Sequence, residues 1–256
     1  HYNAGANVFA GERTDTRITR LLSYRPNLGS VLDTGLGYMG LQDPSSESFG
    51  QALLDCGDVE AGIVWIDGQG RVNFRSRLHS LNPGPILTLD CSQIQVGTDF
   101  DWRDDTQNWR DDITVSRPGG ADQRYVNQSL ETSDGYAQDT ITLPIDTDAN
   151  ALNIAGWLVA IGSQEQNYPA VISTELLTEP SSSQILAALQ TKPLDVLQAI
   201  NLPSTMPSPV TCVIEGGGYQ IGVDDLKLSW NCTPLPPVVG TWDSTTWDSA
   251  AAVWAP

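Results

Sequence analysis

Lysine is nearly absent from this chain: only Lys192 and Lys227 occur among 256 residues. Histidine is as scarce, with His1 and His79 alone. A zinc site built on several histidines is therefore excluded, and a Ser-His-acid triad would have to use His79. No G-x-S-x-G elbow accompanies it, so His79 reads as a surface residue. The cysteines are Cys56, Cys91, Cys212 and Cys232, and no C-x-x-C pair occurs, which argues against a zinc ribbon. No G-x-x-x-x-G-K-[ST] phosphate loop is present. No apolar run approaches 18 residues, so no helix spans a membrane.

Basic residues are few, 13 against 31 acidic, and the net charge is −18. Binding nucleic acid through its phosphates needs the opposite sign, which excludes sequence-specific nucleic-acid recognition and an anionic membrane surface. The acids serve solubility, or they form a wall that DNA passes without sticking. The excess of arginine over lysine hints at a GC-rich genome. Hydrophobic residues make up 40% and charged residues 17%, which excludes a disordered polyelectrolyte. The length suits one large or two modest domains. The chain begins at His1 without a signal peptide, as expected for a trimmed product or the later part of a longer protein.

The most informative stretch is Asp58–Arg77, which reads as a β-hairpin. Ile63, Val64, Trp65 and Ile66 form one strand. Gly68-Gln69 suits a two-residue type II′ turn, which sets Trp65 opposite Val72 and Ile63 opposite Phe74. Ahead of it, Ser48–Gly57 reads as a helix with Phe49, Ala52, Leu53 and Cys56 on one side. A helix on an apolar hairpin face makes a small α+β core, with Cys56 as a core thiol.

Around this centre, 1–12 reads as an arm. Thr14–Tyr24 suits a helix capped by Asp15 or Thr16, and 27–43 reads as loop. Short strands are expected at Ile86–Leu89 and Ile94–Val96, with a domain boundary near 97–100. Further strands are expected at 113–117, 123–129, 137–143, 168–177 and 195–201. Helices are expected from Asp148, as cap, to about 163 and over 181–190. A last hairpin spans Val210–Cys232. It places Cys212 and Cys232 across from each other as a candidate disulfide, and Gly216–Gly218 there suits a bulge or a close backbone approach. The division is thus an arm (1–12), an α+β domain with the central hairpin (13–98), a β-rich domain with helices (99–233) and a Trp/Pro-rich extension (234–256).

The acidic passage Asp99–Asp112 repeats W-R-D-D at 102–105 and 109–112. A calcium site is conceivable there, since carboxylates suit that ion, but a solvated loop offset by Arg103 and Arg110 is the simpler reading. Asp146–Asn150 opens like a calcium loop, yet Ala151 and Trp157 occupy its glycine and bidentate-acid positions. Paired carboxylates for glycoside hydrolysis carry little information in so acidic a chain. Trp102 and Trp109, and Trp242, Trp247 and Trp254 in the tail, are candidate interface anchors. The tail repeats Thr-Trp-Asp-Ser at 241 and 246, and exposed tryptophan there is costly unless it docks.

Taken in order, the pieces are Arg17-Ile-Thr-Arg-Leu-Leu22, G-I-V-W-I-D-G-Q-G-R-V-N-F-R at 62–75, D-I-T-V-S-R-P-G-G at 112–120, D-V-L-Q-A-I-N-L-P at 195–203 and V-I-E-G-G-G-Y-Q-I at 213–221. An L-S-W and a W-D-S-rich tail close the chain. Together they resemble the C-terminal portion of minor tail proteins of long-tailed phages that infect actinobacteria, within the baseplate-hub, or tail-associated, family. The resemblance covers most of residues 13–254. It departs at Asp111, where the family usually carries an Asn-x-Val-type strand. It implies a β-rich α+β fold of barrel-like antiparallel domains with a few packed helices. It also implies a non-enzymatic virion protein at the tail tip, assembling as a homotrimer and with other tail proteins, without catalytic residues, metal or cofactor. Two other classes stay open: a carbohydrate-binding module that stacks Trp102 or Trp109 on host cell-wall glycan, and a cell-wall glycan hydrolase.

Overall fold

The structure is a computed structural model. It describes residues 9–41, 48–80, 84–92, 101–104, 109–129, 137–162, 167–176, 181–204, 206, 208–236, 239–240 and 253–254. The first half runs β1 (Glu12–Arg13), α1 (Thr14–Ser23), β2 (Ser30–Leu32), β3 (Tyr38–Met39), α2 (Phe49–Glu60), β4 (Ile63–Ile66), β5 (Val72–Arg75), β6 (Leu87–Asp90), β7 (Asp101–Asp104), β8 (Asp112–Ser116) and β9 (Gln123–Val126). The second half runs β10 (Gln138–Thr142), α3 (Asp148–Gly162), β11 (Asn167–Glu175), α4 (Ser182–Leu189), β12 (Val196–Ile200), β13 (Val210–Ile221), β14 (Leu226–Pro234), β15 (Val239–Gly240) and β16 (Val253–Trp254). The fold is mixed α+β and strand-rich.

Two compact units form. One holds residues 1–78 and 110–163, the other 79–109 and 164–255. The division is not the linear one expected, 13–98 followed by 99–233. Strands β8 to β10 and helix α3 return to the first unit because their apolar positions complete its core. Ile113, Val115, Ile154 and Val159 share one buried cluster with Ile18, Leu21, Cys56 and Phe74.

In the first unit, α2 starts where expected. The Ser48 side chain accepts a hydrogen bond from the Gln51 amide at 3.1 Å. Its stripe Ala52, Leu53, Cys56 and Val59 is buried, and the helix runs past Gly57 to end on Ala61 in the left-handed region (φ 50°). The hairpin β4–β5 forms, but its register is shifted by one. Val64 faces Phe74, Trp65 faces Asn73 and Ile66 faces Val72. The cause is the turn. Gly70 donates to the Asp67 carbonyl (2.9 Å) and adopts φ +75°, the glycine of a three-residue loop with a bulge, so Gly70 and not Gly68 sets the geometry. Asp67 locks the turn by accepting from the amides of Gln69 and Arg71, both at 2.9 Å. A one-residue slip swaps the faces. Val72 and Phe74 stay on the core face as expected, while Trp65 is turned off it and lies under Arg75, 5.8 Å from ring to guanidinium carbon.

The stretch 27–43, expected as loop, carries two short strands. β2 pairs in parallel with β5, and β3 pairs antiparallel with β1. Two-to-three-residue strands with glycine neighbours leave almost no periodicity to read. Helix α1 begins at Thr14, but neither Asp15 nor Thr16 caps it: the cap position is Arg13, without a side-chain bond. Likewise Thr147, not Asp148, caps α3 by accepting from the Asn150 amide (3.2 Å), and Asp148 instead pairs with Arg117.

In the second unit, a six-stranded half-barrel sheet runs β6-β12-β13-β14-β11-β7. All its pairings are antiparallel except β6 with β12. Its core gathers Ile172, Leu197, Cys212, Ile214, Leu228 and Trp230. The Ser181 hydroxyl caps α4 by accepting from the Gln184 amide (3.2 Å). The strand expected over Ile94–Val96 lies outside the described residues.

Candidate interaction surface

The long hairpin β13–β14 is the dominant feature of the second unit. β13 is 12 residues long, whereas its neighbour β12 pairs only with Val210–Val213. A bulge between Ile214 and Gly216 then shifts the ladder, with Gly216 opposite Asn231 and Gly217 opposite Trp230. The glycine run serves both roles expected of it. A Cβ at Gly217 would lie 2.6 Å from the Ser229 carbonyl oxygen, so Trp230 packs against bare backbone there. Trp230 is buried and donates from Nε1 to Thr191 Oγ1 at 2.8 Å. Beyond the core the hairpin still carries large apolar side chains, yet Tyr219 is 68%, Ile221 72% and Val223 98% exposed.

Cys212 and Cys232 lie on this hairpin as free thiols, and the expected disulfide is not formed. The register explains it. Cys212 faces Pro234 and Cys232 faces Ile214, so the two are diagonal and not opposite. Their sulfurs lie 3.8 Å from the carbonyl oxygens of Leu197 and Trp230 respectively. A hydrogen bond with Cys232, together with burial, pushes the Cys212 thiol far above its ordinary range.

Of the candidate interface tryptophans, Trp102 lies in β7, an outer strand of the six-stranded sheet, opposite Pro169 of β11. Trp109 is half-buried and outside regular structure. Trp254 lies in β16, paired in parallel with β15. Trp242 and Trp247 lie outside the described residues.

The acidic run divides. Asp101 and Asp104 belong to β7. Asp111 and Asp112 are fully buried and structural, not members of a solvated loop. Asp112 takes a two-pronged bond from Arg124 (2.7 and 2.6 Å) across β8 and β9, and Asp111 accepts from the Ala137 amide (2.8 Å). Among the described residues, no group of three His, Cys, Asp or Glu gathers as a metal site. His79 is not a plain surface residue: its Nε2 lies 3.3 Å from Asp195 Oδ1.

Two buried charge centres in the first unit escaped the sequence reading. Glu12 is gripped by Arg17 (2.7 Å) and by Arg20 (2.8 and 2.9 Å). Burial alone would raise its pKa, but the bonds from Arg20 and Arg17 outweigh that and hold it below the ordinary value. Arg17 also donates to the Gly40 carbonyl (2.7 Å) and to that of Phe9. The i, i+3 spacing of Arg17 and Arg20 was the available signal. Glu60, the last residue of α2, accepts from Thr14 Oγ1 (2.7 Å) and from the amides of Leu36 (2.8 Å) and Gly37 (2.7 Å). Gly35-Leu-Gly37-Tyr-Met-Gly40 has the spacing of a dinucleotide-binding fingerprint, but it does not open a helix. Its glycines admit close neighbours instead: a Cβ at Gly35 would land on Thr14 Oγ1, and one at Gly40 would lie 2.7 Å from the Ile145 carbonyl oxygen.

No protein-family model matches the chain, and no curated protein does. Solved structures do. The tail protein from Neisseria meningitidis aligns with a TM-score of 0.62 at 14% identity, over 91% of this chain and 70% of that one. The 43 kDa tail protein of prophage MuSo2 from Shewanella oneidensis aligns at 0.58 and 10% identity, over 88% of this chain and 65% of its own. The chain has a phage tail protein fold. It spans just under two thirds of the Shewanella protein. Neither bacterium is an actinobacterium, so the fold is supported and the narrower actinobacteriophage family is not.

Proposed function

We propose that this chain is a structural protein of a phage tail, a minor tail protein or baseplate hub at the tail tip. Copies assemble around the tail axis as a homotrimer and meet other tail proteins. The observation that carries this reading is the tail-protein fold over 91% of the chain. Two features support it. Trp102 sits on an outer strand, where an aromatic anchor suits subunit contact. The net charge of −18 suits a wall that repels passing DNA. No residue is assigned a catalytic role.

The test is antibody labelling of intact particles that carry the chain, viewed by negative-stain electron microscopy. Label confined to the distal end of the tail is the expected result. Label on the head or along the tube would overturn the tail-tip placement. Absence from particles would overturn the virion role and bring forward glycan binding, read by pull-down on host cell wall.

A further inference from the structure

Distal to its bulge, β13 has hydrogen-bonding partners on one side only among the described residues. β12 pairs with Val210–Val213, and the Leu194–Asp195 backbone bonds Ile214; β14 covers the whole other side. The direction of the unpaired groups follows from the turn. Gly222 donates to the Asp225 carbonyl at 2.8 Å, so that pair is hydrogen-bonded. Antiparallel ladders alternate, so Gln220 and Gly218 also bond to β14, whereas Gly217, Tyr219 and Ile221 turn their N–H and C=O outward. Residues 217–222 are all exposed.

Such an edge normally carries lysine or proline as protection against pairing. The segment Gly216–Ile221 carries neither, and no charge at all. Its glycines let another backbone approach closely. Tyr219 and Ile221 share a face with Leu228 and Leu226, their partners in register, and offer apolar ground to every second side chain of an added strand.

The charges name the occupant. Glu215 stands at one end of the edge and Asp224 and Asp225 at the other; Lys227, opposite Gln220, is the nearby cation. The unit holds fourteen acidic residues against three basic ones. A second copy of a chain at −18 would bring like charge to the same place. We infer that the outer edge of β13, Gly217–Ile221, is a strand-addition site for an extended, lysine- or arginine-bearing segment of another protein. The inference stands on edge geometry and charge and does not depend on the tail reading.

The probe is a fluorescein-labelled peptide of about nine residues that alternates valine with lysine or threonine, with a glutamate-for-lysine counterpart as control. Anisotropy titrations on the full chain are expected to show binding that weakens with salt, and at least about tenfold weaker binding of the acidic peptide. On addition of the basic peptide, amide exchange at Gly217, Tyr219 and Ile221 slows at least about tenfold. Gly218 and Gln220, already bonded to β14, change little. Tyr219→Pro removes the central outward donor and is expected to reduce affinity at least about tenfold. Tyr219→Lys, which keeps the N–H but repels the basic peptide, gives the same direction should the proline variant fail to fold. Unchanged exchange at the three outward amides, or equal binding of the acidic peptide, overturns the inference. Protection that grows with protein concentration without peptide also overturns it, in favour of a second copy.

Discussion

The hydroxyl of Thr14, the first residue of α1, donates at 2.7 Å to Glu60, the last residue of α2. Both side chains are fully buried, and the same carboxylate oxygen also holds the amides of Leu36 and Gly37. One acid thereby ties two helices and the glycine segment between them. Thr14→Val keeps the shape and removes the donor. It is expected to destabilise the chain by about 1–3 kcal/mol, read from urea denaturation, with Thr14→Ser restoring most of the loss.

Gly217→Ala tests the close approach at Trp230. The new Cβ would sit 2.6 Å from the Ser229 carbonyl oxygen, and the backbone would have to yield. A loss of about 1–3 kcal/mol is expected. Gly216→Ala and Gly218→Ala meet nothing within 4 Å and serve as controls with small effects. Equal losses at all three positions in thermal denaturation would contradict the packing account.

The turn at Asp67–Arg71 gives a second glycine test. Gly70 has φ +75°, which an alanine adopts only with strain, whereas Gly68 is not in that region. Gly70→Ala is expected to cost about 1 kcal/mol and Gly68→Ala clearly less. The reverse order in chemical denaturation would favour a type II′ turn on Gly68.

Stability should fall with acid. Glu12 and Asp67 both have folded pKa values below their ordinary ones. For Glu12, bonds from Arg20 and Arg17 outweigh burial; for Asp67, the Arg71 amide leads. A lowered folded pKa contributes stability that is present above the unfolded value of about 4–4.5 and is lost as pH falls through the folded value. Glu12→Gln is expected to flatten the pH dependence of the unfolding midpoint below about pH 4.5 and to lower the midpoint at pH 7. An unchanged slope would remove Glu12 from the account.

Thiol titration checks the cysteines. Burial pushes Cys56 up to about 12 and raises Cys91 more modestly. At pH 8 the native chain is expected to react quickly only at half-buried Cys91, and all four thiols should react in denaturant without reductant. Two reactive thiols in denaturant would reveal a Cys212–Cys232 bridge.

Local signals explain what was legible in the sequence. Helices α2 and α4 start where expected, beside Ser48 and Ser181, because a cap bond joins residues only three apart. The apolar stripes of α1 and α2 and the strands around Val72, Val115 and Val210 were readable because their periodicity is their burial. The register of β4–β5 was not, since Gly68 and Gly70 both suit tight turns and only the positive φ at Gly70 separates them.

The sequence by itself determined the longer helices and strands, the strand-rich α+β class and an acidity that disfavours phosphate binding. It also showed tryptophans suited to contact. Only the tertiary structure decided that 110–163 rejoins 1–78, that Asp111, Asp112 and Glu60 are buried, and that Cys212 and Cys232 stand diagonally. It alone left the distal half of β13 paired on one side only among the described residues. Capping and periodicity act within a few residues along the chain. Register, burial of charge and the ends of neighbouring strands depend on segments tens of residues away, and no local pattern encodes where those segments stop.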